Sequence, residues 1–153
     1  MKKNILSIIL FVTFTTQVLP HVEHYKNFNS LEYELFRNNK SIGYHNYIFE
    51  RKDNNLKIKS VIKFKITKLG IDLYSYEANS LEEYQGEQLV NFSSKTNQNK
   101  KLKNTEITLN EEKKELIISG SENQITSPKE YTVGTWWNHE IVQAKAQISA
   151  ISG

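Results

Sequence analysis

Between residues 56 and 67 the chain alternates, one position at a time, between side chains that avoid water and side chains that seek it. Leu56, Ile58, Ile62, Phe64 and Ile66 share one parity, interrupted only by Ser60, while Lys57, Lys59, Lys63, Lys65 and Thr67 share the other, interrupted only by Val61. A helix would spread both sets around its circumference, whereas a strand sorts them onto two opposite faces. The segment therefore demands a sheet with one dry and one wet side. The lysine row is the wet side, and cations there also discourage edge-to-edge aggregation.

The flanking segments repeat the pattern with turns between them. Leu31, Tyr33 and Leu35 alternate with Glu32 and Glu34, and Asn38-Asn39-Lys40 reverses the chain, since Asn tolerates the left-handed backbone of a tight turn. Residues 41–51 form the returning strand, with apolar or aromatic groups on both parities, which predicts a central or covered strand. Lys52-Asp53-Asn54-Asn55 turns into the alternating segment, and Gly70 ends it. Residues 71–84 shift their apolar parity between Leu73 and Tyr74, the mark of a β-bulge. A turn at Gln85-Gly86-Glu87 precedes Leu89, Val90 and Phe92. Residues 93–104 carry Asn, Gln and Lys without a period and read as a long exposed loop or frayed strand ends. Shorter strands at 106–109 and 115–119 flank a charged turn, and Ser127-Pro128 opens an aromatic segment with Tyr131, Trp136 and Trp137. A helical turn over 141–146 and a strand start within 147–153 complete the reading.

These elements predict a mainly β fold: a curved antiparallel sheet or open β-barrel built from sequential hairpins. At 153 residues the chain makes one domain, over 23–153. Residues 1–22 read as a secretory signal peptide: Lys2 and Lys3 precede an apolar run from Ile5 to Phe14 that is too short to span a bilayer. Cleavage is placed between Thr16 and His24. Removing Lys2 and Lys3 from the 20 basic residues leaves 18 against 17 acidic ones, which argues against nucleic acid as a partner. With no cysteine, disulfides, thiol nucleophiles, Cys-ligated zinc and iron–sulfur clusters are excluded.

No phosphate-binding glycine loop, nucleophile elbow or His-Glu-x-x-His pair occurs. His21 and His24 flank the cleavage region and belong to a leader. The candidate ligand-binding residues are Trp136, Trp137, Asn138, His45 and His139. Aromatic rings beside an amide suit a sugar face or an apolar mouth, and equally a plug over the end of the sheet. His45 shares its parity with Tyr47 and Phe49, which suits a half-buried, hydrogen-bonded imidazole. No catalytic residue, metal site or cofactor is assigned.

The run Tyr33-Glu34-Leu35-Phe36-Arg37-Asn38-Asn39-Lys40-Ser41-Ile42-Gly43-Tyr44-His45, with the later Trp137-Asn138, resembles the domain of unknown function 6134 family, whose members are exported bacterial proteins. The similarity follows the order of elements from Leu31 to Gln143. Asn39 stands where a turn glycine is usual, and the left-handed tolerance of Asn absorbs the change. The resemblance implies export and a β-rich fold, and it brings no activity. Such families continue into further strands, so the end at Gly153 reads as that of a fragment. The functional expectation is a non-catalytic periplasmic or extracellular envelope protein that holds an apolar or amphiphilic small molecule. The alternative is a structural or interaction module with a filled core, and a hydrolase-type enzyme ranks third. Close packing of Ile58, Ile62, Phe64 and Leu73 favours the filled core.

Overall fold

The computed structural model describes residues 25–121 and 124–153, so the signal-peptide reading lies outside the described residues. Eight strands follow one another as a meander: β1 (Ser30–Arg37), β2 (Lys40–Lys52), β3 (Asn55–Lys68), β4 (Ile71–Gln85), β5 (Gln88–Gln98), β6 (Lys101–Asn110), β7 (Glu115–Gly120) and β8 (Gln124–Pro128). Each pairs antiparallel with the next, in the order β1 to β8, and the sheet stays open because β1 and β8 do not meet. The expectation of an antiparallel sheet built from sequential hairpins holds, and the sheet is not closed into a barrel.

The turns form where their backbones permit. Asn38 and Asn39 have φ of 50° and 59°, the left-handed pair of a two-residue hairpin. Gly43 is required by proximity: a Cβ there would lie 2.0 Å from the Lys63 carbonyl oxygen on β3. Single-residue bulges leave Ile42, Leu73 and Val90 without partners between otherwise regular pairs. The second is the shift expected beside Tyr74. Each bulge adds local twist and bends its strand.

Of the two readings of residues 93–104, the loop is corrected and the pair of strand ends holds, since they complete β5, turn at 99–100 and begin β6. Their inward parity carries Ser94, Thr96, Gln98, Lys101 and Lys103, of which Ser94 and Thr96 are buried, and none of these gives a hydrophobic period. Strand β2 is central, as expected, lying between β1 and β3, and it is covered on one side: Tyr47 and Phe49 are buried, whereas Tyr44 and Ile48 on the other parity are exposed.

On the convex side the lysine row is answered by carboxylates on neighbouring strands. Lys57 pairs with Glu83 at 2.6 Å, Lys59 with Glu50 at 2.6 Å, Lys63 with Glu77 at 3.1 Å and Lys65 with Asp72 at 2.9 Å. Exposed pairs of this kind each add little to stability. They do cancel the field that an anion would seek along the row.

After β8 the chain crosses back over the concave face. Strand β9 (Thr132–Val133) pairs in parallel with β10 (Gln147–Ile148), and a 3-10 turn over His139–Val142 lies between them. The expected helical turn thus begins two residues early and is shorter. Val133, Trp137 and Ile148 from this segment are buried against Phe49, Ile58, Phe92, Ile107 and Ile118 of the sheet. Gly120 lets the segment approach, because a Cβ on it would lie 1.8 Å from the Ser152 carbonyl oxygen.

Candidate functional site

Strand register stacks the inward side chains into rows that cross the sheet. One row runs Phe49, Ile58, Glu82, Phe92, Ile107 and Ile118. It is an apolar layer with a carboxylate at its centre. The next row runs Tyr47, Ser60, Ser80, Ser94 and Thr105, all hydroxyls. The third carries His45, Ile62, Ala78, Thr96 and Lys103, and the fourth Gly43, Phe64, Tyr76, Gln98 and Lys101. Along the strands, the concave face therefore passes from oil to hydroxyl to small to aromatic within four rows.

Glu82 is fully buried. Trp137 Nε1 donates to its Oε1 at 2.8 Å, and Tyr84 Oη donates to Oε2 at 2.9 Å, with Thr135 Oγ1 at 3.5 Å from the same oxygen. Burial pushes the carboxyl up to about 7, and the three donors hold it from going further. The same group raises the Tyr47 phenol, after burial itself. Glu82 is the centre around which Trp137 and Thr135 seat the covering segment. Sequence reasoning missed it inside Leu81-Glu82-Glu83, although Tyr74, Tyr76, Ala78, Ser80 and Tyr84 share its parity and point inward.

Above it, a cavity of about 60 Å³ is lined by the hydroxyl and small rows together with Thr135, Trp136 and Ala150. His45 is half-buried, with Nε2 3.0 Å from Ser60 Oγ and Nδ1 3.5 Å from the Tyr47 hydroxyl. Burial lowers the imidazole pKa, so at neutral pH it is uncharged. Ser94 Oγ donates to the Ala150 carbonyl and pins the covering segment to the wall. Thr96 Oγ1 is buried with no partner at hydrogen-bond geometry, yet lies close enough to Tyr76 to oppose the rise of that phenol's pKa. Among the described residues, no ionised side chain lines this cavity.

Beyond the hydroxyls the concave face stays open. Phe64 stacks on Tyr74 at 5.7 Å and on Tyr76 at 5.4 Å between ring centroids, and all three remain partly exposed. Ile62 is also only partly covered, and Leu73 is exposed, so the close packing of the filled-core reading holds at Ile58 and fails above it.

The five candidate residues do not form one site. His45 and Trp136 line the same cavity, Trp136 as a largely exposed lip. Trp137 is buried in the core on Glu82, where it meets Phe49 and Tyr84 edge-on. Asn138 is buried on a separate cleft of about 520 Å³, lined by Tyr84, Gln88, Leu89 and residues 129–133. His139 opens the 3-10 turn.

The geometry defines a class of protein: an open antiparallel sheet, filled by its own C-terminal crossing segment at one end of its concave face and accessible at the other. The chain belongs to the family described as Domain of unknown function (DUF6134), which it matches over residues 33–153. No curated protein and no solved structure matches it.

Proposed function

We propose that this is an exported bacterial protein of the periplasm or cell exterior that binds a neutral amphiphilic molecule without altering it chemically. The amino-terminal Lys2, Lys3 and the apolar run behind them support export. The observation that carries the binding reading is the row order of the concave face. Partly exposed Ile62, Phe64, Tyr74 and Tyr76 offer an apolar bed, and it ends at a small cavity whose groups both donate and accept hydrogen bonds. An acyl or terpenoid chain suits the bed, and a hydroxyl or carbonyl terminus suits the cavity. The absence of an ionised lining group disfavours a charged terminus, which would lose its hydration without a partner.

Titration of the mature protein with a monoacylglycerol, followed by tryptophan fluorescence and native mass spectrometry, tests the reading. Submillimolar binding is expected, weakened about tenfold by Phe64→Ala through lost apolar burial, and weaker for the matching fatty acid anion. No binding of either, or binding indifferent to Phe64 and Tyr76, would remove it. The Ser60–His45 hydrogen bond supports a second reading, a serine hydrolase. Ser60 sits mid-strand with its neighbours in the β-ladder, away from any turn that would free backbone N–H groups for an oxyanion. Labelling of Ser60 by a fluorophosphonate would favour that reading over the binder.

A further inference from the structure

Because successive strands run antiparallel, alternate turns share an end of the sheet, and those at 38–39, 69–70 and 99–100 lie together. The row through Leu35, Gly43, Phe64, Tyr76, Gln98 and Lys101 is the last to cross strands β1 to β6. Past it, β5 turns at once, whereas β3 continues through Lys68 before its own turn. The β3–β4 ribbon thus projects about 13 Å beyond the neighbouring turn, at roughly 3.3 Å per residue. Asn99 braces its base, accepting from Ser75 N at 2.8 Å through Oδ1 and donating its own N–H to the Ser75 carbonyl at 2.9 Å.

The tip of that ribbon is apolar and bare. Leu69 is 93% exposed, Ile71 65% and Leu73 57%. Leu69 has φ of 51° and Gly70 of 78°, the left-handed pair of a tight hairpin turn, where the two companion turns lead with Asn38 and Asn99. A leucine is sterically penalised in that conformation and here has nothing to pack on. Around it, beyond the last full row, stand Arg37, Lys40, Lys65, Lys68 and Lys100 against the single acid Asp72, which Lys65 and Thr67 already hold at 2.9 Å. Among the described residues, Arg37, Lys40, Lys68 and Lys100 have no carboxylate partner. The turns at the opposite end mix Asp53, Glu87, Glu111 and Glu112 with lysines and expose no large apolar side chain.

We propose that this end of the sheet docks on an anionic lipid bilayer, with Leu69, Ile71 and Leu73 sunk among the headgroups and the surrounding cations on the lipid phosphates. An apolar point inside a ring of unpaired cations matches the layered polarity of such a surface. A second copy is a poor occupant, since like-charged rings would face each other. The proposal does not depend on which molecule the concave face binds.

The test is cosedimentation of the mature protein with vesicles of phosphatidylcholine alone and of phosphatidylcholine mixed equally with phosphatidylglycerol. Partition onto the mixed vesicles, lost in high salt, is expected. Lys68→Glu with Lys100→Glu should weaken it by roughly fivefold or more per site, the factor that one cation carries at an anionic surface. Leu69→Asn places the residue that the turn prefers, so it should preserve or raise the melting temperature while cutting partition about tenfold. Equal partition of Leu69→Asn and the parent, equal partition onto the two vesicle types, or no partition would overturn the proposal. So would a concentration-dependent dimer dissolved by Leu69→Asn in place of vesicle binding.

Discussion

Glu82 shows how one residue couples the sheet to the segment across it. Its carboxyl titrates near 7 in the folded protein against an ordinary value of 4.5, so the folded chain holds this proton to higher pH than the unfolded chain. The associated stability is complete below the ordinary carboxylate value and is lost as pH rises through about 7, a loss of about 3 kcal/mol. Tyr47 and Tyr84 face the group from the sheet, and Thr135 and Trp137 face it from the covering segment. None of these ionises in that window. His45 acts in the opposite sense, since its lowered pKa costs stability as pH falls below 6.5. The comparison that isolates Glu82 is with Glu82→Gln, which keeps an acceptor for Trp137 Nε1 and has nothing to titrate. Urea unfolding should show the two proteins close at pH 5 and the variant more stable by about 3 kcal/mol at pH 8. A constant difference across this range would contradict the titration.

At the scale of the strand, what was legible depended on what filled the inward face. Strand β3 announces itself because Leu56 and Ile58 face oil while Lys57 and Lys59 face water. Ile58→Asp should unfold the domain, through roughly 1.5–3 kcal/mol of lost burial plus an unpaired buried charge. Lys63→Asp, losing only an exposed pair with Glu77, should shift stability by less than about 1 kcal/mol. Thermal melts of the two variants check the assignment of faces. Ile62, on the same face, is only partly covered, because the alternation marks a face without saying where along the strand that face is covered. Strands β5 and β6 were illegible between 93 and 104 since the inward parity there holds Ser94, Thr96, Gln98, Lys101 and Lys103, and a hydrophobic period cannot reveal a polar lining. The same cause hid the cavity: the rows that make it are those that erase the signal. His45 was readable from its parity alone. Glu82 was not, because its partners Thr135 and Trp137 arrive from more than fifty residues away.

At the scale of the molecule, the described residues form a sheet and a strap that crosses it, and the joint between them is testable. Gly120 touches the Ser152 carbonyl so closely that a methyl group cannot be added without moving one of them. Gly120→Ala should lift residues 149–153 from β7, cost about 1–3 kcal/mol and leave the meander in place. Faster tryptic cleavage after Lys145, with an unchanged far-ultraviolet spectrum, is the expected outcome.

The bulges at Ile42, Leu73 and Val90 have a consequence for heredity. Each supernumerary residue keeps the side chains on either side of it on their own faces, so deleting one would exchange inside for outside along the rest of its strand. Descendants of this chain are free to vary in spelling along the strands but not in counting, and insertions or deletions among them should collect in the turns.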